Sequence, residues 1–305
     1  MGASGVDDSQ ERVGARGAVS GSPVRRAVHV LRFADGGELE LGRKTAVMGV
    51  VNVTPDSFSD GGCHLTADDA LRAAARMAQQ GAQLVDVGGE SSRPGAASID
   101  AEEETRRILP AIEAIKREID LRLSIDTTKA AVARRAFDAG ADMLNDVSAL
   151  GDPEMLPLVC QRRTPVVLMH MRGSPATMQD DTDYDDLLLE LTEFLHDRSA
   201  QAVACGVADD KILVDPGLGF GKSAAGNLAI LKRLSALAAV GKPLVVGASR
   251  KRFIGAVLDL PVDDRLEGSL AVAAWAGAQG AHIIRAHDVA ATVRVVRMID
   301  AIRDA

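Results

Sequence analysis

Eight times in 305 residues the chain repeats one phrase: a short run of Val, Leu and Ile, a polar turn, then apolar residues at helical spacing. The apolar runs fall at about Thr45–Asn52, Leu84–Val87, Leu121–Asp126, Met143–Asn145, Pro165–His170, Lys211–Asp215, Leu244–Gly247 and His282–Arg285. Helical spacing follows them at Ala67–Gln80, Ala101–Glu118, Lys129–Ala139, Met155–Arg162, Asp185–Cys205, Leu228–Ala239, within Gly268–Gln279 and at Val289–Ile302. Strands without polar alternation are covered on both faces, as in a parallel sheet. Eight alternations with no linker predict one α/β domain, a (β/α)8 barrel of the TIM type. Ahead of them, His29–Phe33 and Glu38–Leu41 flank an Asp-Gly turn, which signals an N-terminal β-hairpin. That hairpin is expected to plug the amino-terminal end of the barrel. Aromatic residues make up only 3% of the chain, so the core must be Val, Leu, Ile and Ala.

A barrel gathers the carboxyl ends of its strands around one mouth. Here those ends read Asn52; Glu90, Ser92 and Arg93; Asp126; Asn145; His170 and Met171; Asp215; Ser249 and Lys251; Arg285 and His287. Together they supply more carboxylates, amides and cations than turn chemistry needs. Singly, each has a plainer use. Asp126 and Asp215 can cap helices, although Pro216 makes Asp215 a turn opener. Asn145 can satisfy its own turn. His170 reads as a core histidine bonded to backbone. Ser249-Arg250-Lys251 reads as a grip on phosphate or a ring carbonyl, or as surface charge. Arg285 and His287, two apart on an extended segment, project to one face and suit an anion.

The loop after Asn52 carries Phe58 and Asp60 and is longer than most strand–helix connections. The stretch 217–223 is Gly-rich but is no Walker loop, because Pro216 stands where a Gly is required. It fails the dinucleotide pattern too, since Ser223 would have to be Gly. Glycines there let backbone approach a flat ligand. Carboxylates and amides deep in a barrel fit an amino-oxo heterocycle, whose paired N–H donors a carboxylate accepts two at a time. Cations and Ser92 at the rim fit phosphate or pyrophosphate. Asn52 can help hold Mg²⁺, which keeps most of its waters and borrows phosphate oxygens.

A net charge of -8 disfavours nucleic acid as a partner. No apolar stretch approaches membrane-spanning length. Cys63, Cys160 and Cys205 are odd in number and form no CxxC, which points to a reducing compartment, the cytoplasm. Residues 1–27, rich in Gly, Ser, Ala and mixed charge, read as a disordered tail without the apolar core of a secretion signal. Residues 28–305 form the barrel domain.

Eight segments, NVTPDSFSDGG (52–62), VDVGGESSRPGA (85–96), SIDTTK (124–129), NDVSAL (145–150), MHMRGSPATMQ (169–179), DPGLGFGKS (215–223), GASRKRFIG (247–255) and RAHDV (285–289), resemble dihydropteroate synthases, in order and across residues 28–303. The resemblance implies a pterin-binding TIM barrel. Its reaction joins 6-hydroxymethyl-7,8-dihydropterin pyrophosphate to 4-aminobenzoate, releasing pyrophosphate and 7,8-dihydropteroate, with Mg²⁺ and as the sulfonamide target. By motif, Asn52 would be the magnesium-associated residue. Asp126, Asn145, Asp215 and Lys251 would hydrogen-bond the pterin. Arg285 would stack on it and, with His287, grip pyrophosphate, while Ser92 contacts phosphate. Phe58, Asp60, Arg93, Pro94 and Ser249 would form the aminobenzoate site. Asp60, Arg93, Lys251, Arg285 and His287 are the expected catalytic set, and a homodimer is the expected assembly. Two alternatives share some of these residues. A methyltetrahydrofolate-dependent methyltransferase has no use for SSRPG or the Arg285–His287 grip. Intact Asn52, Asp60, Arg93, Lys251 and His287 argue against a catalytically silent pterin-binding paralogue.

Overall fold

The computed structural model describes residues 26–54, 66–93 and 95–305. Strands β1 (His29–Arg32) and β2 (Glu38–Leu41) form the expected antiparallel hairpin. Gly36 turns it with φ +86°, a value that favours glycine. Eight parallel strands follow: β3 (Ala46–Asn52), β4 (Leu84–Gly88), β5 (Arg122–Asp126), β6 (Met143–Asp146), β7 (Val166–Met169), β8 (Ile212–Asp215), β9 (Val245–Gly247) and β10 (Ile283–Ala286). They pair in the order β8-β7-β6-β5-β4-β3-β10-β9. A single bridge, Val214 to Leu244, brings β8 back beside β9 and closes the barrel.

The helices are α1 (Ala67–Gln79), α2 (Ala101–Glu118), α3 (Ala130–Asp138), α4 (Met155–Arg162), α5 (Leu187–Ala204), α6 (Ala224–Lys232), α7 (Arg252–Leu258), α8 (Leu266–Ala278) and α9 (Val289–Asp304). Two features depart from the sequence reading. Helix α6 starts four residues earlier than periodicity suggests, because Ser223 caps it, its Oγ accepting the Gly226 N–H at 3.1 Å. It then gives way to a 3-10 turn over Leu234–Val240. Helix α7 carries too few residues for periodicity to register. Among the described residues, no helix is long and apolar enough to cross a membrane.

Inside the barrel the lowest layer is apolar. Leu31, Phe33 and Leu41 of the hairpin pack with Met48, Leu84, Met143, Val167, Leu213, Val245 and Ile283. The hairpin therefore plugs the amino-terminal end, and each of its large apolar side chains contributes roughly 1.5–3 kcal/mol by burial. Strand geometry sends residues two apart to the same face. One step up, the inward positions become Asp86, Ser124, Asn145, Asp215 and Arg285. An apolar floor thus carries a polar storey.

Residues 1–25, most of the segment assigned to a tail, lie outside the described residues. Arg26, assigned to that tail by composition, is buried. Its guanidinium donates to Thr45 Oγ1 and Asp300 Oδ1, each at 2.8 Å. Next to it, His282 accepts the Leu244 N–H on Nδ1 at 3.0 Å and faces the Ala27 carbonyl with Nε2 at 3.1 Å. That pairing requires a neutral ring with its hydrogen on Nε2. Burial, then the Ala27 contact working against it, leave the pKa lowered to about 4 from an ordinary 6.5. Between those values the unfolded chain binds the extra proton. Stability is therefore complete above pH 6.5 and is lost as pH falls toward 4, by up to roughly 3 kcal/mol. Urea unfolding across that window should show the slope, and His282→Gln should flatten it.

Candidate active site

The polar storey opens toward the carboxyl ends of the strands. Asp86, fully buried in β4, accepts Arg285 Nε at 2.6 Å and Asn145 Nδ2 at 2.9 Å on one oxygen. Arg285 also donates to Asp126 Oδ2 at 2.8 Å. One guanidinium from β10 is thus fixed by carboxylates from β4 and β5, and one amide from β6 joins it. Asn145 does not satisfy its own turn. Buried Asp146 does that, accepting Ser148 N–H and Leu150 N–H, each at 2.8 Å. Nor do the two aspartates cap helices. Lys129 stands at the N-cap of α3 and makes no side-chain cap bond. Asp215 accepts the Gly217 N–H at 2.7 Å, and Ser223 caps the following helix.

Two glycines keep the floor of this pocket open. A Cβ on Gly247 would stand 3.7 Å from Arg285 Cβ and 3.9 Å from Asp215 Oδ2. One on Gly88 would stand 3.5 Å from Asp126 Cβ and 3.9 Å from Asn52 Oδ1. Side chains there would fill the space between the polar groups. Lys251 closes another side. Its Nζ donates to the Leu218 carbonyl and lies 4.4 Å from the centroid of the Phe220 ring. At the rim, His287 Nδ1 lies 3.1 Å from Ser249 Oγ, which also accepts the His287 N–H at 3.2 Å. Arg250 and Asp288 tie the same two loops by a bidentate pair at 2.8 and 3.0 Å.

Ser92 is half-buried and Arg93 exposed on the loop after β4. The base of that loop is anchored by Glu90, whose carboxylate meets Lys129 Nζ at 2.5 Å; the same ammonium reaches buried Glu104 at 2.6 Å. A cavity of about 340 Å³, lined by Ser92, Asp126, Thr127 and Lys129 among others, lies beside it. Phe58, Asp60, Pro94 and Cys63 lie outside the described residues. Of the expected site residues, the structure therefore brings Asp126, Asn145, Asp215, Lys251 and Arg285 together. Asn52, at the end of β3, is separated from Asp126 by Gly88 of β4, and Ser249 and His287 share the rim. His170 is the expected core residue, packed edge-on against Phe194 at 4.9 Å, but its ring Nδ1 meets the Lys222 ammonium rather than backbone.

Charge in this pocket is finely set. Burial pushes Asp126 up to about 7, with the Arg285 charge opposing. Its side chain is 15% exposed, so water at the mouth can reach it. Burial likewise raises Asp215, opposed by Lys251. Burial draws Lys251 down to about 8, opposed by Asp215. Burial works against Arg285, but Asp86 and Asp126 outweigh it and raise its pKa. Burial and then Arg285 draw His287 down to about 4, although its outer edge is exposed. Near neutral pH the pocket holds cationic Arg285 and Lys251, an Asp126 close to its own titration point, and a neutral imidazole at the rim.

Sequence reasoning missed Asp86 and Phe220. A carboxylate in the middle of the apolar run LVDVG was a usable signal for the first. Nothing in the local pattern distinguished the second. Among the described residues no three His, Cys, Asp or Glu side chains gather to hold a metal ion. Asn52 offers one amide oxygen at the edge of the pocket, a donor that fits a cation carried mainly by phosphate oxygens and water.

A sequence profile of the pterin-binding enzyme family matches residues 48–287. Fold, pocket and profile together define the class, a pterin-binding enzyme built on a (β/α)8 barrel. The chain is 45% identical to the dihydropteroate synthase of Escherichia coli over 269 residues, 88% of this chain and 95% of that one. It is similar to the structure of a Yersinia pestis dihydropteroate synthase in complex with a sulfonamide drug, with TM-score 0.84, 46% identity and coverage of 88% and 98%. It is also similar to a Xanthomonas albilineans dihydropteroate synthase with 4-aminobenzoic acid, with TM-score 0.85, 43% identity and coverage of 92% and 100%. The chain belongs to the dihydropteroate synthase family.

Proposed function

We propose that the chain condenses 6-hydroxymethyl-7,8-dihydropterin pyrophosphate with 4-aminobenzoate to form 7,8-dihydropteroate and pyrophosphate. The observation that carries this reading is the polar storey itself. Asp126, Asn145, Asp215 and Arg285 surround a floor kept open by Gly88 and Gly247. Asp215, Asp126 and Asn145 accept and donate along the pterin edge. Lys251 faces its ring carbonyl, and Arg285, braced by Asp86, lies against its face. Ser92, Arg285 and His287 take the pyrophosphate. The bond from the exocyclic carbon to the pyrophosphate oxygen breaks with its electron pair leaving on oxygen. Cationic character then spreads into the conjugated ring. The aromatic amine forms the new C–N bond and releases a proton, so no enzyme nucleophile is required. Asp60 would stabilise that cation, and Phe58, Arg93, Pro94 and Ser249 would seat the aminobenzoate and sulfonamides that copy its shape. Turnover lost in Asp60→Ala with both substrates still bound would support this role; full turnover would remove it.

Asn52 would help hold Mg²⁺, which would neutralise charge on the leaving group when bound. Pyrophosphate release, followed with both substrates present, tests the function. It should require 4-aminobenzoate. A silent paralogue would release none, and a methyltransferase would ignore the aminobenzoate. EDTA should stop release while circular dichroism stays native, and added Mg²⁺ should restore it. Unchanged release in metal-free buffer would refute the metal role.

The homodimer rests on Val257, Leu258, Val262 and Trp275, large apolar side chains exposed from α7 to α8. Light scattering should give twice the 31.9 kDa chain mass; a monomer at micromolar concentration would contradict it. Free thiols at Cys160 and Cys205 support a cytoplasmic location, which cell fractionation would test.

A further inference from the structure

Among the described residues Lys222 is the most buried lysine, 2% exposed, yet no step above uses it. Its Nζ has three neighbours that can accept: His170 Nδ1 at 2.9 Å, the His170 carbonyl at 3.2 Å and the Phe220 carbonyl at 2.8 Å. An ammonium has three donors, so this set satisfies it in full. The ring must then be neutral, with its hydrogen on Nε2. Burial and the Lys222 charge draw His170 down to about 3, in keeping with that tautomer.

The ammonium ties the end of β7 to the loop after β8. That loop already lies against β7: a Cβ on Gly217 would stand 2.0 Å from the His170 carbonyl oxygen, and Gly217 has φ +66°. The same loop supplies the Gly217 N–H to Asp215 and the Leu218 carbonyl to Lys251. We propose that Lys222 is a positioning residue for pterin binding, whose ammonium pins the loop over 217–220 to the end of β7 and lends positive charge to the surroundings of Asp215. The proposal rests on the assignment of Asp215 and Lys251 to the pterin.

The charged and titratable groups around Lys222 are Asp215 on β8, Lys251 after β9, and His170 and Arg172 at the end of β7. Burial first, helped by Lys251 and Arg172 and opposed by Asp215, lowers Lys222 to about 7. Below neutrality Lys222 is cationic. Removing that charge must raise the Asp215 pKa and move the acid limb of pterin affinity upward.

The test is calorimetric binding of 6-hydroxymethylpterin, which has no leaving group, from about pH 5 to about pH 7.5. Lys222→Met should bind about 10-fold more weakly at neutral pH, with its acid limb about one pH unit higher. His170→Gln keeps the charge and should lose only about 3-fold, with the limb in place. Asp126, raised to about 7, titrates within the same scan, so its limb persists in both variants. Asp215→Asn serves as reference and should lack the Asp215 limb. If it binds like wild type with an unchanged limb, the pterin assignment of Asp215 is wrong, whatever Lys222 does. If that reference behaves as expected but folded Lys222→Met keeps the wild-type limb, the proposed role of Lys222 is overturned. An equal displacement in His170→Gln would overturn it too, because the limb would then move with the Lys222 charge still in place. Should Lys222→Met fail to fold, Lys222→Gln removes the charge while keeping donors and is read by the same criteria.

Discussion

Arg285→Ala should lower turnover by roughly 10²- to 10³-fold, the loss seen when one preorganised donor to developing charge is removed. Two jobs end together. The leaving pyrophosphate loses its deepest cation, and the pterin loses the surface that Arg285 presents. The fold should suffer as well. Arg285 neutralises Asp86, which is fully buried, and Asp126, which is 15% exposed. Removing one partner from such a cluster strands the others and costs about 3–5 kcal/mol. Steady-state kinetics and urea unfolding would measure the two losses. Adding Asp86→Asn to Arg285→Ala should recover part of the stability and none of the turnover. Turnover within a few-fold of wild type in Arg285→Ala would mean the pyrophosphate is held elsewhere.

Asp215→Asn should weaken pterin binding 5- to 150-fold, about 1–3 kcal/mol, because it turns an acceptor into a donor against ring N–H groups. The change is nearly isosteric, and the Asn carbonyl can still accept the Gly217 N–H. Thermal stability should therefore move little. Calorimetry with the pterin would separate the two effects. A large drop in melting temperature with unchanged pterin affinity would return Asp215 to a purely structural role.

The barrel was legible because its signal is repetitive. Each apolar run had a polar end and a helix after it, and an error at one repeat could not hide the other seven. The hairpin was legible for a different reason, since Asp35-Gly36 between short runs leaves few alternatives. What periodicity could not carry were features set by single contacts. Ser223 moved the start of α6, and Arg26 drew the last residues of the presumed tail into the base of the barrel through Thr45 and Asp300. The site was legible at strand ends, where Asp126, Asn145, Asp215 and Arg285 stood in view. Asp86 stood inside its strand, two residues before the end of β4, and read as part of the apolar run. Lys222 was hidden within a glycine-rich loop whose nucleotide-binding patterns had to be excluded first. Its partners, His170 and Phe220, come together only when β7 and β8 lie side by side.

The most direct test of the whole account is the product. Purified protein would be incubated with 6-hydroxymethyl-7,8-dihydropterin pyrophosphate, labelled 4-aminobenzoate and Mg²⁺, and the label followed by chromatography. The account predicts transfer of label into 7,8-dihydropteroate, one pyrophosphate per product, and near-complete loss in Arg285→Ala. Protein that binds the pterin tightly yet leaves all of the label in free 4-aminobenzoate would contradict it.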